Sequence, residues 1–213
     1  MQPKWYFDKF ARPYLRNKEV LNTKELKQID DFVNRLVPSA MKRKRFQGQD
    51  PKWVFNSFYD GMIAEIAIEN FTGTKFITWE IRKEEDPDKS DLFYYGLNIG
   101  VKTAKFGNLP LVYKSHRIET PEIITIVDLP NTVYVIGYAT KPMLKYYQSS
   151  EYGYGNVMEY KGGYWGFHKL YDFKTMDDLK DLYANKEINV YNNFTDTVKD
   201  YPEFEKILTF DEL

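Results

Sequence analysis

Two neighbouring segments constrain this chain more than anything else in it: Ile123 to Val127 and Thr132 to Tyr138. In the first, Ile123, Ile124, Ile126 and Val127 put apolar side chains on both faces of an extended segment. A strand that is apolar on both faces has to be covered on both sides, so it belongs inside a layered structure. Helical patterns upstream supply one cover. Asn22 or Thr23 caps a helix that runs to about Val37, with Leu26, Ile29, Phe32, Val33 and Leu36 at helical spacing and Pro38 as its stop. Asp50 and Pro51 open a second, strongly apolar helix to Phe71, and Gly73 ends it. Further strands are expected at Lys75 to Ile81, on either side of Gly96, and at Leu170 to Phe173. Short helices are expected at Lys141 to Gln148 and from Thr175 to Ala184. Residues 1–20 read as an irregular arm and residues 149–166 as a long loop or hairpin. The order of elements predicts a mixed α/β fold, a central mixed β-sheet flanked by helices.

A chain of 213 residues suits one domain, with an N-terminal arm and helix over 1–50, a core over 51–140 and C-terminal strands and helices over 141–213. The absence of cysteine excludes disulfides, thiolate metal sites and cysteine nucleophiles, and agrees with a cytoplasmic setting. The beginning of the sequence carries no apolar signal core, and no stretch is apolar enough to span a membrane. Net charge is −1, so any nucleic-acid surface has to be local.

The residues that carry chemistry cluster between 60 and 105. Leu97, Ile99 and Val101 alternate with Asn98, Gly100 and Lys102, a period of two that sets Lys102 on the face opposite the apolar residues. Asp91 lies eleven residues before Lys102, and a tight hairpin brings both to one end of the sheet. Glu65 lies mid-helix among apolar residues, where a carboxylate is costly unless it is paired or holds a cation. Gly61, Ala64 and Ala67 let that helix approach the sheet closely. Two carboxylates and a lysine meeting at one point are what phosphodiester hydrolysis needs: hard oxygen ligands for Mg²⁺, and a cation to orient the attacking water. The plainer alternatives are a surface ion pair for Glu65, a turn aspartate at 91 and a solvated strand lysine at 102.

Gly61, Ala64, Glu65 and Ala67 with Gly73, then Ser90, Asp91 and Leu92, then Gly96, Ile99, Val101, Lys102 and Thr103, resemble the core of the PD-(D/E)XK, restriction-endonuclease-like nuclease superfamily. Val133 to Tyr138 resembles the strand that follows its catalytic hairpin. The resemblance covers about residues 55–140 and implies a restriction-endonuclease-like core. It implies a Mg²⁺- or Mn²⁺-dependent nuclease acting on nucleic acid, DNA in preference, of phage or mobile-element character. Glu65, Asp91 and Lys102 are then the catalytic residues, and Glu65, Asp91 and the Val101 carbonyl the metal ligands. Relatives often dimerise to cut two strands, so a homodimer is the implied assembly, although the sequence marks no dimer surface. One departure stands out: the acid expected two residues before the lysine is Gly100. Glu65, Asn98, Glu80, Glu84, Glu85 or Asp88 are candidates to replace it. The alternative is a nuclease-fold protein without catalysis that binds nucleic acid or a host or defence protein.

Lys42, Arg43, Lys44 and Arg45 form a basic run able to contact phosphates, and Lys105, Lys114 and Arg117, with His116, follow the hairpin toward the same groove. A solvated basic loop is the competing reading of 42–45. His116 and His168 are the only histidines and form no zinc set or triad. Trp53 and Tyr59 are read as core, and Tyr152 to Asn156, which lacks the phosphate-loop pattern, as a loop.

Overall fold

Burial on both faces of one strand pair organises the molecule. A computed structural model describes residues 4–43, 46–81, 90–113, 120–153 and 161–188. Its elements in order are α1 (Lys4–Phe10), β1 (Lys18–Val20), α2 (Thr23–Ala40), α3 (Pro51–Thr72), β2 (Gly100–Lys105), β3 (Leu111–Tyr113), β4 (Glu122–Asp128), β5 (Thr132–Ala139), α4 (Lys141–Tyr146), β6 (Gln148–Ser149), β7 (Lys161–Tyr164) and α5 (Met176–Leu182). The main sheet has the order β1-β5-β4-β2. β4 runs parallel to β2 and antiparallel to β5, so the sheet is mixed, and the fold is mixed α/β as expected. A second, antiparallel sheet has the order β3-β7-β6.

Two apolar layers sandwich the main sheet. On one face Ile63, Ala64, Ile66 and Ala67 of α3 pack with Ile99, Ile123, Val133 and Val135. On the other, Ile124, Ile126 and Ile136 pack with Phe7 of α1, Leu109, Val112, Tyr152 and Tyr164. Alternate residues of a strand point to opposite faces, so this division also sorts the polar residues of β2 and β4.

α2, α3 and α5 begin where the sequence says they should. The Asn22 side chain accepts from the N–H groups of Lys24 and Glu25, and Glu25 accepts in return from the Asn22 N–H at 2.8 Å. Asp50 caps α3, with Pro51 in its first turn, and Gly73 closes it at φ 66°, a left-handed conformation that suits glycine. α5 starts at Thr175 with a reciprocal cap from Asp178. Among the described residues, no helix is long and apolar enough to cross a membrane.

Several segments differ from expectation. α2 continues through Pro38 to Ala40, because a proline in the last turn forfeits only one backbone bond. Lys75 to Ile81 is not a strand. The Phe76 and Ile77 N–H groups donate instead to the buried carboxylate of Glu69, at 2.7 and 2.8 Å, and the Lys75 ammonium takes its other oxygen. Residues 93–95 form a 3₁₀ turn, and β2 starts only at Gly100. The N-terminal arm is structured: α1 packs under the second sheet, and β1 pairs with β5. The segment read as a long loop or hairpin contains β7, which pairs antiparallel with β6 at its start, while 154–160 lie outside the described residues. Leu170 to Phe173 contributes a single bridge, between Tyr171 and Tyr138.

Candidate functional site

β2 is an edge strand, and its free edge carries the first functional group. The Gly100 N–H donates inward to the Pro121 carbonyl at 2.9 Å, so the backbone groups of Val101 point outward. There the Val101 N–H donates to Asp91 Oδ2 at 2.6 Å. The Leu92 N–H reaches the Ile99 carbonyl at 3.1 Å, and the Ser90 hydroxyl the Leu97 carbonyl at 3.3 Å. Residues 90–92 therefore run along the edge without being a strand, and hold Asp91 against Val101.

The second group comes from the neighbouring strand. Glu122 is the in-register partner of Gly100 in the parallel ladder, so the two residues share a face. A Cβ added to Gly100 would lie 3.0 Å from Glu122 Cδ and 3.2 Å from Oε1. The Glu122 carboxylate thus fills the space where a side chain at position 100 would begin. Burial pushes its carboxyl up to about 7, the negative charge of Asp91 pushes the same way, and Lys102 opposes both. The sequence reading did not single out Glu122. Its one signal is an acid opening an otherwise apolar strand, next in space to a glycine where an acid is expected.

Lys102 is the third group. It pairs in register with Ile124, so it projects on the face away from α3, toward the second sheet. Its Nζ lies 6.0 Å from the centre of the Tyr113 ring on β3. Lys161 of β7 lies over the same ring at 4.7 Å. Tyr113 and Lys161 are direct partners across the antiparallel ladder, and the Tyr113 carbonyl is further held by the Gln148 side chain at 2.8 Å. Burial, then repulsion from Lys102, lowers the Lys161 pKa.

The other expected residues fall elsewhere. Glu65 is partly buried on α3, on the opposite side of the sheet from Lys102. Lys105, three residues beyond Lys102 and on the α3 face, is paired with Asp60 at 3.2 Å. Lys42 and Arg43 extend the end of α2 in tight turns, their N–H groups donating to Ser39 and Ala40. Lys44, Arg45, Lys114, His116 and Arg117 lie outside the described residues, as do Glu84, Glu85 and Asp88. His168 is ringed by Tyr14, Tyr147 and Trp165, and burial lowers its pKa. Trp53 is exposed rather than core, whereas Tyr59 stacks on Phe55.

Among the described residues no group of three or more histidine, cysteine or acidic side chains is placed to hold a metal ion. The donors nearest to such a set are the carboxylates of Asp91 and Glu122, whose charges act on each other, and the outward carbonyl of Val101, whose N–H holds Asp91. This is a hard-oxygen set of the kind Mg²⁺ accepts when water completes its shell. A carboxylate held near another carboxylate, with its charged form disfavoured by burial, is the surrounding that a divalent cation relieves. Comparisons with protein-family models, with curated proteins and with solved structures gave no match.

Proposed function

We propose that this chain is a divalent-metal-dependent nuclease on a restriction-endonuclease-like scaffold, acting on nucleic acid with DNA favoured. The observation that carries this reading is the meeting of Asp91, Glu122 and Lys102 at one end of β2, with Glu122 in the space of the acid missing at position 100. Asp91, Glu122 and the Val101 carbonyl would hold Mg²⁺ or Mn²⁺. When bound, the metal polarises a phosphate and acidifies a coordinated water. Asp91 is kept in place by the Val101 N–H, and Glu122 by the wall of Gly100. Lys102 orients the attacking water and offsets the charge that builds on the phosphate oxygens. This reading puts Glu122 where Glu65 was expected in the metal set.

A second reading, a non-catalytic protein of the same scaffold that binds nucleic acid or a host or defence protein, is favoured by the lack of a third acid among the described residues. Cleavage decides between them. The wild type is incubated with Mg²⁺ or Mn²⁺ and circular duplex, linear duplex, single-stranded and branched DNA, and RNA, beside Lys102→Ala, Asp91→Asn and Glu122→Gln. Cutting by the wild type, lost in all three folded variants, supports the nuclease. No cutting of any substrate refutes it.

A further inference from the structure

Two ammonium groups share one aromatic ring beside the two carboxylates, and that arrangement costs energy in the chain as it stands. Lys161 lies 4.7 Å and Lys102 6.0 Å from the centre of Tyr113. The ring attracts both cations, yet each raises the energy of the other. Lys102 has Glu122 as a counter-charge. Lys161 is partly buried, and no described carboxylate forms an ion pair with it. The backbone beneath the group is fixed: Lys161 and Tyr113 are ladder partners, and Gln148 ties down the Tyr113 carbonyl. The Tyr113 side is open to solvent, with the residue 40% exposed. Two like charges held near one partly exposed ring are relieved by an anion that touches both.

We propose that Lys161, aligned by Tyr113 beside Lys102, is a second phosphate-binding lysine, and that the two ammonium groups together take one phosphate of the nucleic-acid strand. Tyr113 is a positioning residue that sets the spacing of the lysines. The site rests on the nuclease reading for its substrate but not for its binding chemistry. It comes from the second sheet, so substrate is gripped between β2 and β7 while the metal set lies along β2 and β4.

The test separates this proposal from the nuclease reading. Binding of a fluorescein-labelled oligothymidylate, alone and as a duplex with oligodeoxyadenylate, is followed by anisotropy in EDTA across a salt series. Lys161→Gln removes the charge while keeping an unbranched polar side chain. It should weaken binding roughly tenfold at low salt and flatten the slope of log K against log salt by about 0.7 to 0.9. Lys161→Arg should restore most of the slope. Tyr113→Leu should weaken binding, while Tyr113→Phe should not. In cleavage, the Lys161→Gln defect should appear in KM more than in kcat. A Lys161-dependent slope in a chain that cuts nothing keeps this site and refutes the nuclease. Cleavage with an unchanged slope and KM in Lys161→Gln refutes this site and keeps the nuclease. A wild type that binds neither oligonucleotide refutes the site as well.

Discussion

Replacing Glu122 by glutamine should make the protein more stable above neutral pH. The folded carboxyl titrates at about 7 against an ordinary 4.5. A carboxyl whose folded pKa is raised holds its proton more tightly in the native state. Its contribution is intact below pH 4.5 and is lost as pH rises to about 7, where the native state has to accept a buried anion. The difference of about 2.5 units corresponds to about 3 kcal/mol at full ionisation, of which roughly 2 to 3 kcal/mol falls between pH 5 and 8. Glutamine keeps the shape and never ionises, so that part of the pH dependence should vanish. The assay is urea unfolding in EDTA at a series of pH values for wild type and Glu122→Gln. The expected result is a wild-type stability that declines from pH 5 to 8 relative to the variant, with the gap growing fastest roughly midway between the two pKa values and largest at pH 8. Parallel curves would show that the Glu122 charge is well solvated, and the argument from burial would fail.

Three further outcomes follow from the same contacts. Metal affinity should rise with pH up to about 7, by as much as about tenfold per unit, because Glu122 has to lose its proton; calorimetry in buffers of different ionisation heat should detect that release, and not in Glu122→Gln. Glu122→Ala should cut cleavage by more than about 100-fold, and adding Gly100→Asp should recover at least about tenfold, since the second carboxylate then starts from the space the first one filled. Glu69→Ala should cost about 2 to 4 kcal/mol in chemical unfolding by stranding the Phe76 and Ile77 N–H groups, while cleavage per folded molecule stays within about twofold.

How much of this was legible beforehand depends on whether the signal was local. β4, β5, α2, α3 and α5 were readable because periodicity and caps are written in consecutive residues. Asp91 and Lys102 were readable because the turn between them is short. Lys75 to Ile81 misled because its composition favours a strand, while the fate of its N–H groups was decided by Glu69, six residues upstream of that segment. Glu122 was missed for a related reason. Its nearness to Gly100 exists only once β2 and β4 pair in parallel, 22 residues apart, and no linear motif spans that pairing. For Glu65, helical surroundings show that a carboxylate is enclosed but not which face of the sheet it meets. Lys161 sat in a segment read as a loop or hairpin and Tyr113 in one given no element, so the ladder that joins them was not legible.

The contact between Asp91 and the Val101 N–H has a further consequence for how copies of this chain meet. The main sheet ends on one side in the short β1 and on the other in β2, whose outward N–H and carbonyl groups are the kind that recruit a strand from another molecule. A charged side chain seated on one of those donors hinders that docking, so the residue proposed for the metal also guards this edge of β2. Asp91→Ala would open the edge as well as empty the site, and self-association would then mimic a loss of chemistry. Asp91→Asn, which still offers an oxygen to the Val101 N–H, separates the two effects.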